Sequence, residues 1–234
     1  MDSYEKPLFA ELRECNKAAN SKTRMPSRSI VTLVLVLLVI LIFLPFAIYF
    51  ISSKYDNFQH LSKFDPPPRD DIAKTARYAV HNLDWGVIST ISIEFGGFPS
   101  GRPVSVADGP MDNSTGIPYI YIAPATPTSH DLQFNTSASL SFSEAMSDYC
   151  SRNQYIAEDP RCARITLYGN IVKVGQEEIP FAKKSLFSRN PIMKRWPASH
   201  KFYFAKLEIS HVRLLDYFGP CHEIPLKDYF AAKV

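Results

Sequence analysis

The longest apolar stretch of the chain runs from Ile30 to Ile51, IVTLVLVLLVILIFLPFAIYFI, twenty-two residues without a charge. As a helix rising 1.5 Å per residue it covers about the ~30 Å of a bilayer's hydrocarbon core. Pro45 lies near its far end, where a bilayer span tolerates a proline once neighbouring groups satisfy the freed carbonyl. Beyond it the pattern turns polar from Ser52 to Arg69 and closes on Pro66-Pro67-Pro68, a semi-rigid extended spacer. Ile72, Ala76, Ala79, Val80 and Leu83 then recur at helical spacing behind Asp70 and Asp71, so a helix is expected over 70–82.

From Trp85 onward short apolar runs and period-two alternation take over, predicting strands over 87–95, 103–107, 117–123, 138–142, 165–174 and 201–216. Short helices are expected over 128–134, 143–153 and 179–188. The 18 Pro are spread between these runs, and no internal repeat is visible. The pattern implies a mainly β chain, an antiparallel barrel decorated by helices. Four regions follow: a cytosolic basic tail (1–29), a transmembrane or signal-anchor helix (30–51), a Pro-rich stalk (52–69) and one folded domain (70–234).

Charge sets the orientation. Lys17, Lys22, Arg24 and Arg28 precede the apolar run, whereas Lys54 and Lys63 beyond it are offset by Asp56 and Asp65, so the N-terminus is held in the cytosol. Everything after Ile51 is then lumenal or extracellular, behind either a retained type II anchor or a signal cleaved near Ser52 and Ser53. The net charge is only +3, and the tail contributes six basic against four acidic residues. No nucleic-acid footprint is present, and the scattered distal Lys and Arg read as ordinary solvated surface.

Two sequons fall beyond the span, Asn113-Ser-Thr and Asn135-Thr-Ser, in polar, turn-like surroundings, and are the expected N-glycosylation sites. Cys15 sits on the cytosolic side; Cys150, Cys162 and Cys221 are lumenal, where oxidation is possible. Cys150 and Cys162 bracket an eleven-residue polar loop. A disulfide there contributes about 2–3 kcal/mol; the other reading is two buried free thiols. Cys221 is left over: free, intermolecular, or exchanged with the other two.

HExxH, GxSxG, P-loop, GxGxxG and paired CxxC motifs are all missing. The six His stand far apart and read as hydrogen-bonded structural residues, and Cys221-His222-Glu223 cannot all point inward from a strand, so no metal site is expected.

The ordered motifs DWGVISTIS, GRPVSVADGP, GIPYIYIAP, SHDLQFNTSASLSF, RITLYGNIVKV, FAKKSLFSRNPIMKRWPASHKFYFAKLEI and VRLLDYFGP resemble the CREG proteins. These are a flavin-free branch of the pyridoxamine-phosphate-oxidase-like, FMN-binding split barrels, and the resemblance covers roughly 73–230. It implies a split β-barrel that forms a homodimer and an endolysosomal or secreted glycoprotein carried by N-glycans and mannose-6-phosphate receptors. No established turnover is implied, and influence on growth or differentiation comes through receptor binding.

The alternative is an FMN-binding oxidoreductase, and a third reading is a tethered interaction module whose anchor is the point. Flavin-binding relatives carry a basic residue shortly before the Ser-Leu matched by Ser139-Leu140, where this chain has Thr136-Ser137. Losing that phosphate partner forfeits about 1.5–3 kcal/mol. FMN is therefore doubtful, unless Arg77, Arg102 or Arg164 supplies the charge. In the superfamily the cofactor cleft lies between two subunits. By resemblance Gly101–Gly109 lines it here, giving Arg102, Asp108, Ser137 and Ser139 as the candidate groove; the other reading is that Arg102 and Asp108 only shape a turn.

Overall fold

A computed structural model of the chain describes residues 27–59, 64–217 and 219–234; Cys15, His60 and nearly all of the basic tail lie outside them. The chain divides into two compact units, Met1–Ser62 and Lys63–Val234.

In the first unit, helix α1 (Ser27–Gln59) contains Pro45. Its stretch Thr32–Tyr49 is long and apolar enough to cross a membrane. The helix continues to Gln59, past the apolar run and into the polar residues read as a stalk.

The second unit begins ahead of Asp70. Phe64 is buried, with its ring edge-on to Tyr78 at 5.1 Å, so the chain enters the core before the three prolines. Helix α2 (Ile72–Asn82) is capped by Asp71, whose side chain accepts from the Lys74 N–H at 2.9 Å. Ala76, Ala79 and Val80 form its buried face.

Six strands follow in chain order with helices between them: β1 (Trp85–Ile91), β2 (Pro99–Ser105), β3 (Tyr119–Ile122), α3 (Pro127–Phe134), β4 (Ser137–Ser143), α4 (Tyr149–Arg152), β5 (Arg164–Lys173), α5 (Ile179–Arg189) and β6 (Tyr203–Leu215). Strand β7 (His222–Ile224) and helix α6 (Leu226–Ala231) close the chain. All pairs are antiparallel, in the order β2-β1-β4-β5-β6-β3. Strand β6 is long enough to carry β5 on one side and, on the other, β3 along its first half and β7 along its second. The result is a curled antiparallel sheet with its concave face filled by α2 and α6.

Register separates the two faces. Arg102, Ile88, Leu140, Leu167, Val212 and Ile224 are successive partners across the sheet, and from Ile88 onward this row is buried. The neighbouring row, Gly101, Ser89, Ser139, Tyr168 and His211, faces outward, as period-two alternation requires. A register shift after Tyr168 lets β5 bend. Gly169 is needed there, because a Cβ would come within 1.9 Å of the Glu208 carbonyl oxygen.

Several boundaries move. β1 ends at Ile91 because residues 92–98 form a closed tip, in which the Gly97 N–H donates to Ser92 O at 2.7 Å and Gly96 and Gly97 take positive φ. Phe95 and Phe98 thus sit exposed on the tip and not in a strand. The 143–153 helix is a 3-10 turn (Glu144–Met146) followed by the single turn α4. Cys150 and Cys162 are joined by a disulfide with Cα atoms 5.8 Å apart, fastening α4 to the chain entering β5; Cys221 is free and exposed.

Candidate functional site

The outward row forms the floor of an open groove of about 450 Å³ on strands β1, β4, β5 and β6. Ser137 and Ser139 line it together with Ser89, Asn170, Tyr168 and His211. Its polar groups are hydroxyls and an amide. The one basic side chain in the lining is the imidazole of His211, and its Nδ1 lies 2.8 Å from Glu223 Oε1.

Of the four groove candidates the structure brings Ser137 and Ser139 together and places Arg102 and Asp108 elsewhere. Arg102 pairs in register with Ile88, so its side chain starts from the opposite face of the sheet. It reaches Asp131 of α3, Nη1 to Oδ2, at 3.7 Å. Asp131 is itself held by the Thr90 hydroxyl at 2.8 Å and the Ile93 N–H at 3.1 Å. The Arg102 Nη1 makes no hydrogen bond, and the ion pair joins the β1–β2 hairpin to α3.

Asp108 is fully buried and works as the hub of the loop leading to β3. It accepts from His81 Nδ1 at 2.6 Å, Ser114 Oγ at 2.6 Å and the Gly116 N–H at 2.8 Å, and its carbonyl accepts from the Thr115 hydroxyl. Burial pushes its carboxyl up, but the His81 and Ser114 bonds outweigh this and hold it below the ordinary carboxylate value. The turn-shaping reading of Asp108 is therefore the one its partners support.

Arg77 completes this network: Nη2 donates to the Ser114 hydroxyl at 2.8 Å and Nη1 to the Tyr229 carbonyl at 3.2 Å, so the guanidinium ties the loop to α6. Gly116 lies against it at φ +78°, and a Cβ there would come within 2.8 Å of Arg77 Nε. Arg164 donates to the Glu158 carbonyl at 3.3 Å.

Ser114, Asp108 and His81 superficially suggest nucleophilic chemistry, but the connectivity is wrong. The serine bonds the carboxylate and not the imidazole, and His81 Nε2 faces the Met111 carbonyl at 3.1 Å. No cluster of metal-ligating side chains occurs among the described residues.

The residues of the groove do not fit a flavin phosphate within one chain. Arg77 and Arg102 are committed to internal partners, and no lining side chain supplies a guanidinium or ammonium.

Both sequon asparagines lie outside the strands. Asn113 is exposed on the loop that Asp108 organises, while its neighbours Ser114 and Thr115 face the hub. Asn135 caps the end of α3, and its Oδ1 accepts from the Ser137 N–H at 2.9 Å beside the groove. The hub and the Arg77 clamp escape sequence reading, because their partners are separated by up to 152 residues.

The curled sheet, its register and its helices define a split β-barrel of the type found in FMN-binding proteins. Solved structures with this fold include a heme binding protein from Mycobacterium smegmatis, with TM-score 0.54 and 18% identity over 72% of this chain and 62% of that one. The protein Atu2129 from Agrobacterium tumefaciens matches with the same TM-score of 0.54 and 18% identity, over 70% of this chain and 62% of that one. The model of the CREG β-barrel family matches residues 67–231. Mouse Protein CREG1 is 41% identical over 70% of this chain and 76% of its own length. For human Protein CREG1 the identity is 37% over 77% and 83%, and for mouse Protein CREG2 40% over 73% and 60%. The chain belongs to the CREG family. That membership, the apolar helix and the disulfide accord with a protein of the secretory pathway.

Proposed function

We propose that this chain is a lumenal, single-pass or secreted glycoprotein that acts by binding and not by turnover. It carries N-glycans at Asn113 and Asn135, reaches the endolysosomal or extracellular space through a glycan-dependent sorting receptor, and influences growth or differentiation through a protein partner. The observation that carries this reading is the groove itself: hydroxyls, an amide and one imidazole on a sheet face, without a general base poised on a nucleophile and without a guanidinium or ammonium for a phosphate. A face of this kind suits a second copy, and we assign the homodimer contact to it.

The test is a titration of the full chain with FMN in detergent, read by quenching of flavin fluorescence. The reading expects no saturable binding at micromolar flavin. Saturation in that range, with visible flavin bands in the purified protein, would overturn it in favour of an FMN-dependent oxidoreductase, in which the flavin carries the electrons.

A further inference from the structure

Residues 179–206 contain seven Lys and Arg and no Asp or Glu, in a chain whose totals are 26 and 23. Two of the seven are neutralised internally: Arg189 pairs with Asp84 at 2.5 Å and Lys206 with Glu178 at 2.6 Å. Lys183, Lys184, Lys194, Arg195 and Lys201 are exposed, and none has an ion pair among the described residues.

Four of these cations adjoin a chain of rings. Lys183 Nζ lies 5.9 Å from the Phe187 ring, and Phe187 meets Tyr121 edge-on at 5.4 Å. Tyr121 in turn stacks on Trp196 at 5.9 Å, Trp196 packs on Phe202 at 4.9 Å, and His200 on Phe202 at 5.8 Å. Lys194 and Arg195 immediately precede Trp196, and Lys201 adjoins Phe202. The aromatic spine therefore links Lys183 to the segment that carries Lys194, Arg195 and Lys201, with the half-exposed Trp196 among them. Lys201 is fixed in the left-handed region at φ +53°, where Gly or Asn is usual, at the turn between the 3-10 turn Ala198–His200 and β6.

We infer that this face binds a sulfated polysaccharide chain of the glycosaminoglycan class. Its partner must be a polyanion, because unopposed positive potential recruits multivalent negative charge. An exposed aromatic edge amid the cations suits a sugar ring better than a bare ionic surface does. The choice of polysaccharide over anionic lipid rests on the lumenal placement proposed above, since the anionic surface potential of membranes belongs to the cytoplasmic leaflet. Nucleic acid is disfavoured on the same ground. The binding test itself does not depend on where the protein resides, so the two readings fail separately.

The experiment uses the full chain in detergent with Lys17, Lys22, Arg24 and Arg28 replaced by Gln, so that tail charges do not contribute. Binding to immobilised heparin is measured between 50 and 300 mM NaCl for this background, for K194A/R195A/K201N, and for a control of equal charge, K74A/K227A/K233A. Asn at 201 keeps the left-handed backbone, and an unchanged melting temperature certifies the fold.

The expected result is a loss of about tenfold or more in affinity at physiological salt for the first triple variant, with the slope of log affinity against log salt reduced by about two to three. The control should stay within about twofold of the background, and desulfated heparin should not bind. Undiminished binding by the first variant, an equal loss in the control, equal binding of desulfated heparin, or binding to phosphatidylserine vesicles without binding to heparin would each overturn the proposal.

Discussion

At the scale of single residues, two separate groups of buried charges give opposite responses to pH. Arg69 serves two carboxylates, Glu144 at 2.7 Å and Asp216 at 3.3 Å, both nearly inaccessible and each with one oxygen lacking a hydrogen bond. Burial raises both carboxyls above their usual 4.5 and 3.8, more than Arg69 lowers them. A carboxyl raised on folding binds its proton more tightly in the native state, so its contribution is full below the unfolded value and is lost as pH rises through the folded one. Asp108, which is lowered, behaves oppositely and loses its contribution only as pH falls below its usual range.

The melting temperature of the full chain is therefore expected to rise as pH falls from neutral through the raised values of Glu144 and Asp216, and to fall only in stronger acid. Asp216→Asn leaves Arg69 to Glu144 alone, removes one raised carboxyl and relieves Glu144 of its neighbour's charge, so it should reduce the acid gain. An unaltered pH profile in calorimetry would contradict this. Gly116→Ala forces a Cβ against the Arg77 guanidinium at positive φ and should destabilise by about 2 kcal/mol in denaturant melts.

Residue chemistry was only half legible in the sequence. The spacing of Arg102 and Asp108 showed a turn region but not which face each side chain takes. That is set by the pairing of β2 with β1, and a shift of one residue exchanges the faces.

Among elements, the long periodic ones were legible and the short ones were not. Helix α2 and strands β5 and β6 fall within two residues of the pattern that marks them. The three-residue β7 and six-residue α6 are too short to show a period, yet Ile224 and Tyr229 are buried in the main core. The closed tip at 92–98 depends on Gly96 and Gly97, a local signal outweighed in sequence by the apolar Ile93, Phe95 and Phe98. The Cys150–Cys162 bond holds a short helix that has little burial of its own, so reduction should lower stability by about 2–3 kcal/mol. Melting with and without a reductant, against Cys150→Ser/Cys162→Ser, isolates that contribution; a variant insensitive to reductant with unchanged stability would show the bond to be dispensable.

For the whole molecule, alternation and turn residues gave an antiparallel barrel and family resemblance its split-barrel type, while the strand order came through neither. The order β2-β1-β4-β5-β6-β3 is built from pairings between residues far apart in sequence, which no local pattern encodes. The orientation proposed across the membrane rests instead on a local signal, four basic residues ahead of the apolar run. The oxidised Cys150–Cys162 pair accords with that orientation, and the proposed glycans and sulfated partner depend on it.

The most direct measurement is translation of the full chain into microsomes, followed by protease from outside and glycan removal. The account predicts a protected fragment containing residues 63–234 that carries two glycans, one lost in Asn113→Gln and the other in Asn135→Gln. A barrel degraded by the external protease, with both asparagines unmodified, would place it on the cytosolic side and contradict the account.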